Sequence, residues 1–275
     1  MTQPLVAVLG CGPSGLLAAH ACAMRDVPTV VFSKKVKSVL GGAQYSHIGI
    51  PGIHDSDMTP DAKLTYIVQG DPDMYQAKVY GDTVVPFVSM SKRTDGEIVP
   101  AWNLRAMYDQ LWDRYAGAVV DLPLSPQTTA RLLSAFDLVL SSVPLPSVCL
   151  GSVDPLVTHW FKQATVRIKN EALDPNLPDN TILYDGTKDH SYYRMSRIFG
   201  VGATEWGATA PLPPVTDVRT INKPIGTNCD CHETWNDGGP TRFRKVGRFG
   251  TWEKGMLTFH AYNAAIDSLA EWGVV

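Results

Sequence analysis

The chain has 275 residues, enough for one large domain or two small ones, and at 44% hydrophobic and 19% charged it has the composition of an ordinary globular enzyme. Lys and Arg number 24 against 27 Asp and Glu, so the net charge of −3 offers no global case for nucleic-acid binding. No apolar run approaches the roughly 20 residues that span a bilayer, and five irregularly spaced cysteines outline no disulfide framework.

Leu5 to Leu9 reads as a buried strand, not as a signal peptide, because no basic leader precedes it. With no disulfide framework evident, the expected setting is reducing and cytoplasmic. The strand runs into Gly10-x-Gly12-x-x-Gly15, and an Ala/Leu-rich helix follows from Leu16 to Met24. Strand, glycine turn and helix make the context of a dinucleotide fingerprint. Gly10 permits the turn, Gly12 lets backbone approach a pyrophosphate, and Gly15 lets helix and strand pack closely. Pro28 to Phe32 is the second strand, ending in Ser33-Lys34-Lys35 where such units commonly carry an acid. A cationic end there could receive a 2′-phosphate, which would favour NADP.

Gly41-Gly42 again suits close backbone approach. Asp55 to Val68 is expected to hold a short helix capped near Thr59, with Pro60 first. Lys78 to Met90 alternates and reads as one or two strands, and Thr94-Asp95-Gly96 as a turn. Leu104, Met107, Tyr108, Leu111, Trp112 and Tyr115 form a helical stripe, read as core packing. A short strand is expected at Ala118 to Leu122, a helix at Ser125 to Ala135 and a buried strand at Phe136 to Leu140. Thr165 to Lys169, Thr181 to Tyr184, Tyr192 to Phe199 and Gly202 to Trp206 read as strands of a mainly antiparallel sheet, with Asp185-Gly186 as a turn. After the proline-rich connector at Pro211 to Pro214, a glycine-rich stretch from Val246 leads into a last helix, Met256 to Trp272.

Four pieces resemble the two-domain FAD oxidoreductases of the glutathione-reductase-like class, in its amine-oxidase, protoporphyrinogen-oxidase and UDP-galactopyranose-mutase group. They are Gly10-Cys-Gly12-Pro-Ser-Gly15, Gly41-Gly42, Asp137-Leu-Val-Leu-Ser-Ser-Val-Pro144, and Gly247-Arg248 followed by Gly255 and a terminal helix. The pieces stand in the family's order and span about half the chain. The sequence departs from the family at Ser33, where the family has Glu, and at Ala43-Gln44, where it commonly has Arg. The fold implied is α/β: a Rossmann-like FAD-binding domain with a smaller, mainly antiparallel β substrate domain. Segments 1–55, 101–150 and 223–275 would bind FAD, and 56–100 and 151–222 would form the substrate domain.

By this resemblance Gly12, Pro13, Ser14 and Gly15 hold the pyrophosphate, with Gly10, Gly42, Ala43 and Gln44 also at the cofactor. Ser33 and Lys34 lie near the adenosine ribose, and Val119 or Val120 near the adenine. Gly247 and Arg248 pass the pyrophosphate and ribityl chain, while Gly255, Met256 and Leu257 present N–H groups to the flavin pyrimidine edge, where reduced flavin is anionic.

Tyr192, Arg194 and Ser196 would share one strand face, with Arg194 pairing a substrate carboxylate or phosphate. Tyr45 and His47 are acid–base candidates. Cys229-Asp230-Cys231-His232 carries ligand-type residues, but zinc sites normally need two ligand pairs, so no metal is expected. A CxC redox pair lacks the usual CxxC helix context.

The expected activity is flavin-dependent oxidation of a C–N or C–O bond in a small or nucleotide-like substrate. The chain's compactness resembles that of flavoproteins carried by tailed bacteriophages, which would make amino-acid-decorated thymidine in DNA a substrate. Arg242, Arg244, Lys245 and Arg248 form a rim that could meet a phosphate backbone. The alternatives are a redox-neutral mutase acting on a nucleotide sugar and an NADP-binding redox sensor without turnover.

Overall fold

The computed structural model describes residues 3–54, 57–83, 85–149, 151, 157–231 and 239–274. The chain divides into two compact units, one of residues 1–38, 106–162 and 224–275, the other of 39–105 and 163–223. The units thus change after residues 38, 105, 162 and 223, where the sequence reading divides the chain after 55, 100, 150 and 222.

Unit 1 is built on a parallel sheet of five strands: β1 (Val6–Leu9), β2 (Thr29–Ser33), β5 (Val119–Asp121), β6 (Leu138–Ser141) and β12 (Phe243–Lys245). Their order is β12-β6-β1-β2-β5. All four residues of β1 are fully buried, as a central parallel strand covered on both faces requires. One face is covered by α4 (Pro126–Ala135), started by Ser125, whose hydroxyl accepts the Thr128 N–H. Leu132 and Leu133 pack there on Ala7, Leu9, Val139 and Phe243. Helix α1 (Pro13–Ala23) packs on α6 (Phe259–Glu271), whose Ala261, Ala265 and Leu269 are fully buried.

The other sheet has seven strands: β3 (Ala62–Gly70), β4 (Ile98–Ala101), β7 (Phe161–Lys169), β8 (Thr181–Gly186), β9 (Tyr192–Ile198), β10 (Val201–Gly207) and β11 (Arg219–Thr227). Their order is β11-β7-β10-β9-β8-β3-β4. The β3–β4, β8–β9, β9–β10 and β7–β10 pairs are antiparallel, and β3 pairs β8 in parallel. The α/β class with a mainly antiparallel second sheet is as expected.

Two expectations fail between 55 and 90, a stretch in which 55, 56 and 84 lie outside the described residues. The helix expected within Asp55 to Val68 is the strand β3. Thr59 caps nothing: its N–H and hydroxyl both bond the Asp57 carboxylate, closing a local turn. Leu64 and Tyr66 then alternate into the core at a period of two. Conversely, the strand expected from Lys78 begins inside a helix, α2 (Pro72–Tyr80). The Asp71 carboxylate accepts the Asp73 and Met74 N–H groups, Pro72 opens the helix and Gly81 stops it at φ 57°. Tyr75 and Val79, four apart, are its buried face. Asp185-Gly186, expected as a turn, closes β8 instead.

Candidate functional site

In unit 1, β1 ends at Gly10, which turns with φ +100°. A Cβ on Gly10 would fall 2.6 Å from Ser142 Oγ, and one on Gly15 would fall 2.0 Å from the Gly10 carbonyl oxygen. Both glycines are demanded by the fold. Gly12 differs: its φ of −70° and ψ of 176° suit any residue, and a Cβ there would meet only Ser38 Oγ, at an ordinary 3.6 Å. Among the described residues, nothing in the packing requires glycine at this position. It stands at the N-terminus of the 11-residue α1, where no side chain caps the helix, Pro13 comes first and the first turn carries no acid. Open backbone at an uncapped helix N-terminus is a place for an anion.

The far end of the chain arrives at the same place. Val246 N–H bonds the Ser141 carbonyl at 2.8 Å. Gly247 follows with φ +67°, and a Cβ on it would lie 2.3 Å from Ser14 Oγ. Gly250 presses on the Ser141 carbonyl, where a Cβ would sit at 2.2 Å. Arg248 is part-buried in the short helix α5 (Gly247–Thr251).

Gly255, Met256 and Leu257 do not open the terminal helix as expected. Gly255 turns with φ +92°, α6 starts only at Phe259, and the Leu257 N–H is taken by His260 Nδ1 at 3.0 Å. That amide is therefore spent within the chain and not offered to a ligand.

At the neighbouring strand ends, Ser33 is part-buried and Lys34 exposed. The β2–β5 register sets Asp121 beside Ser33, an acid one strand away from where the fingerprint expects it. Val119 is buried and Val120 is 43% exposed. Tyr108 on α3 (Leu104–Tyr115), read from sequence as core, also works as a clamp. Its hydroxyl donates to the Cys11 carbonyl at 3.0 Å and accepts the Ser38 N–H at 2.9 Å, tying the glycine turn to the loop after β2.

In unit 2, Gly42 has φ +76°, and a Cβ on it would lie 2.7 Å from Glu205 Oε1. Arg105 holds this loop by donating to the Leu40 and Gly42 carbonyls at 2.8 and 3.2 Å. Ala43 packs on the core, and Gln44 folds back to donate to the Gly41 carbonyl. The Tyr45 and His47 rings meet edge to face at 4.8 Å, and the Tyr45 hydroxyl is hydrogen-bonded to that of Tyr66. Burial raises both phenols, so each stays neutral.

The strand face expected for Tyr192, Arg194 and Ser196 is broken. Glu205 pairs Arg194 while Trp206 pairs Tyr192, which leaves Tyr193 as the extra residue of a β-bulge. Tyr193 and Arg194 therefore point the same way and both reach Glu205. Tyr192 goes to the opposite face, where it stacks on His190 at 4.7 Å and packs near Leu183 and Met195. Nor is Arg194 waiting for a substrate anion: its guanidinium is bound to Glu205, which also receives Lys223. Burial pushes the Glu205 carboxyl up, but the Arg194 and Lys223 charges outweigh it and hold it well below the usual range. Sequence reading missed Glu205, Lys223, Arg105 and Asp121, because only strand register and loop packing bring them to the site.

No protein-family model and no curated protein matches the chain. Solved structures do. A reduced UDP-galactopyranose mutase is similar over 99% of this chain and 96% of that one, at 11% identity and a TM-score of 0.51. A 2-methyl-3-hydroxypyridine-5-carboxylic acid oxygenase is similar over 98% and 81%, at 14% identity and a TM-score of 0.52. CmlS, a flavin-dependent halogenase, is similar over 98% of this chain but 57% of its own, at 12% identity and a TM-score of 0.50. These likenesses show the fold alone, here a five-stranded parallel sheet and a seven-stranded mixed sheet.

Proposed function

We propose that the protein is an FAD-dependent oxidoreductase that oxidises a C–N or C–O bond. The observation that carries this reading is the cradle in unit 1. Gly12 is left free of side chain without a structural need for it, and Gly247 abuts Ser14 beside it. Gly12, Pro13, Ser14 and Gly15 would take the pyrophosphate on the α1 N-terminus. Gly247 and Arg248 would close the cradle along the pyrophosphate and ribityl chain. Asp121 beside Ser33 would accept hydrogen bonds from the adenosine ribose hydroxyls, supplying the acid that Ser33 lacks. Val119 and Val120 would line the adenine. A carboxylate there repels a 2′-phosphate, which disfavours the NADP-sensor reading despite Lys34 and Lys35.

Bound FAD would accept hydride from a carbon bearing nitrogen or oxygen. On the substrate side, Tyr45 stays neutral and positions a polar group through its hydroxyl. His47, whose ring meets that of Tyr45 edge to face, is the acid–base candidate beside it. Arg194, Lys223 and Glu205 together leave one net positive charge on the Tyr45 face of the large sheet, which favours a substrate bearing an anionic group. Arg194 then acts by fixing this charge cluster.

Anaerobic mixing of the purified flavoprotein with a panel of primary and secondary amines tests the activity. Bleaching of the flavin by an amine supports the oxidase. A second reading is a redox-neutral mutase on a nucleotide sugar, favoured by the similarity that spans 96% of a UDP-galactopyranose mutase. Turnover of a sugar nucleotide only after prior reduction, with no bleaching by any amine, would replace the first reading by the second.

A further inference from the structure

Three segments of unit 1 converge on a knot of thiols that the cofactor cradle does not use. Cys149 follows β6, His159 precedes β7, and Cys229 and Cys231 follow β11. Cys149 Sγ lies 3.0 Å from His159 Nδ1 and 3.4 Å from Cys229 Sγ, and Cys229 Sγ lies 3.2 Å from Cys231 Sγ. The ligand atoms of Cys149, His159 and Cys229 all fall within 4.8 Å of one another. No disulfide joins these cysteines. The other ring nitrogen, His159 Nε2, is 2.9 Å from Asp230 Oδ1. That carboxylate fixes the tautomer in which Nε2 carries the proton and Nδ1 offers its lone pair to the sulfurs. Leu145, Val148, Trp252 and Phe161 wall the cluster with apolar surface.

We infer that Cys149, His159, Cys229 and Cys231 form a closed tetrahedral site for one Zn(II), with Asp230 orienting His159. Three sulfurs and one imidazole are a structural zinc set, and four protein ligands leave no open position for catalysis. Distances favour metal over a redox pair. Zn–S bonds of about 2.3 Å place tetrahedral sulfurs about 3.8 Å apart, so the Cys149–Cys229 and Cys229–Cys231 pairs need open by only about half an ångström, while Cys231, outside the 4.8 Å group, moves in to complete the set. A disulfide at about 2.05 Å needs closure by more than an ångström and leaves the third thiol and the histidine unexplained.

Binding expels three thiol protons, so the site carries one net negative charge. Without the cation, burial pushes the Cys149 thiol up, and its thiol neighbour Cys231 together with burial does the same to Cys229. A dication reverses that balance. The Lys245 ammonium donates to the Cys229 carbonyl at 3.2 Å, and Lys245 stands just ahead of Val246-Gly247. Zinc would thus anchor the segment that closes the cradle.

The CxC pair alone lacks the second ligand pair a zinc site needs, which is why sequence reading expects no metal. Cys149 and His159 supply that pair through the fold. His232, the other ligand-type residue of that stretch, lies outside the described residues.

The test is elemental analysis of the full chain purified under reductant without chelator. One zinc per chain is expected, and cobalt-exchanged protein should show thiolate-to-cobalt charge-transfer and tetrahedral d–d bands. Asp230→Asn should weaken zinc affinity by about 10- to 100-fold with an unchanged circular dichroism spectrum. Absence of stoichiometric zinc, or peptide mapping that finds a Cys149–Cys229 or Cys229–Cys231 disulfide, would overturn the assignment.

Discussion

Gly247 and Ser14 touch across 233 positions of sequence: a Cβ on Gly247 would lie 2.3 Å from Ser14 Oγ. The contact joins the N-terminal glycine turn and the C-terminal glycine segment into one surface within unit 1. It also explains why each glycine motif is weak evidence by itself. Each contributes one wall, and the helix N-terminus between them supplies the charge.

Two of the fingerprint glycines, Gly12 and Gly15, should separate by experiment. Gly15→Ala places a methyl on the Gly10 carbonyl and should lower stability by about 1–3 kcal/mol, read by urea unfolding. Gly12→Ala adds a Cβ that meets no such obstacle and should unfold within about 1 kcal/mol of wild type, yet hold flavin less tightly in the flavin-to-protein ratio. A Gly12→Ala protein that binds flavin as tightly as wild type contradicts the assigned role.

Asp121 supplies a second test. Asp121→Asn removes one charged acceptor, worth about 1.5–3 kcal/mol, so FAD affinity should fall about 10- to 100-fold. Lys34→Ala should change it little. The opposite ranking, with NADPH binding weakened by the lysine change, would favour the NADP reading.

Much of unit 1 was legible because its signals are local. Ser125 caps α4, the Gly10 to Gly15 turn opens α1, and β1 is a continuous apolar run. What escaped depends on partners distant in sequence. The alternation of Tyr192 and Arg194 is broken by a bulge that is defined only when β9 meets β10. Likewise Thr59-Pro60 resembles a helix start until Asp57 takes the Thr59 N–H. The fingerprint expects an acid at the end of β2, whereas register puts Asp121 at the end of β5, beside Ser33.

The buried charge cluster predicts a stability effect. Glu205→Gln leaves Arg194 and Lys223 without their shared carboxylate and should cost about 3–5 kcal/mol. Lys223→Met, which keeps the Arg194–Glu205 pair, should cost less. Chemical unfolding of both variants checks the order.

Asp185 sets an acid limit on folding. Its carboxylate is fully buried and bonded by Lys78, Gln69, His190 and the Thr187 N–H. Burial pushes its carboxyl up, but these partners outweigh burial and hold it at about 2. A folded pKa below the unfolded value of about 3.9 stabilises the fold above that pH, and the stabilisation is lost as pH falls toward 2. The stability gap between wild type and Asp185→Asn should therefore narrow by about 2 kcal/mol from neutral pH to pH 2. A gap that stays constant with pH contradicts this role.

The most direct test of the cradle is the visible spectrum of the freshly purified protein, followed by denaturation and chromatography of the released cofactor. A yellow protein with flavin absorption that releases FAD at about one per chain is expected. A colourless protein that cannot be loaded with FAD but binds NADPH would contradict it.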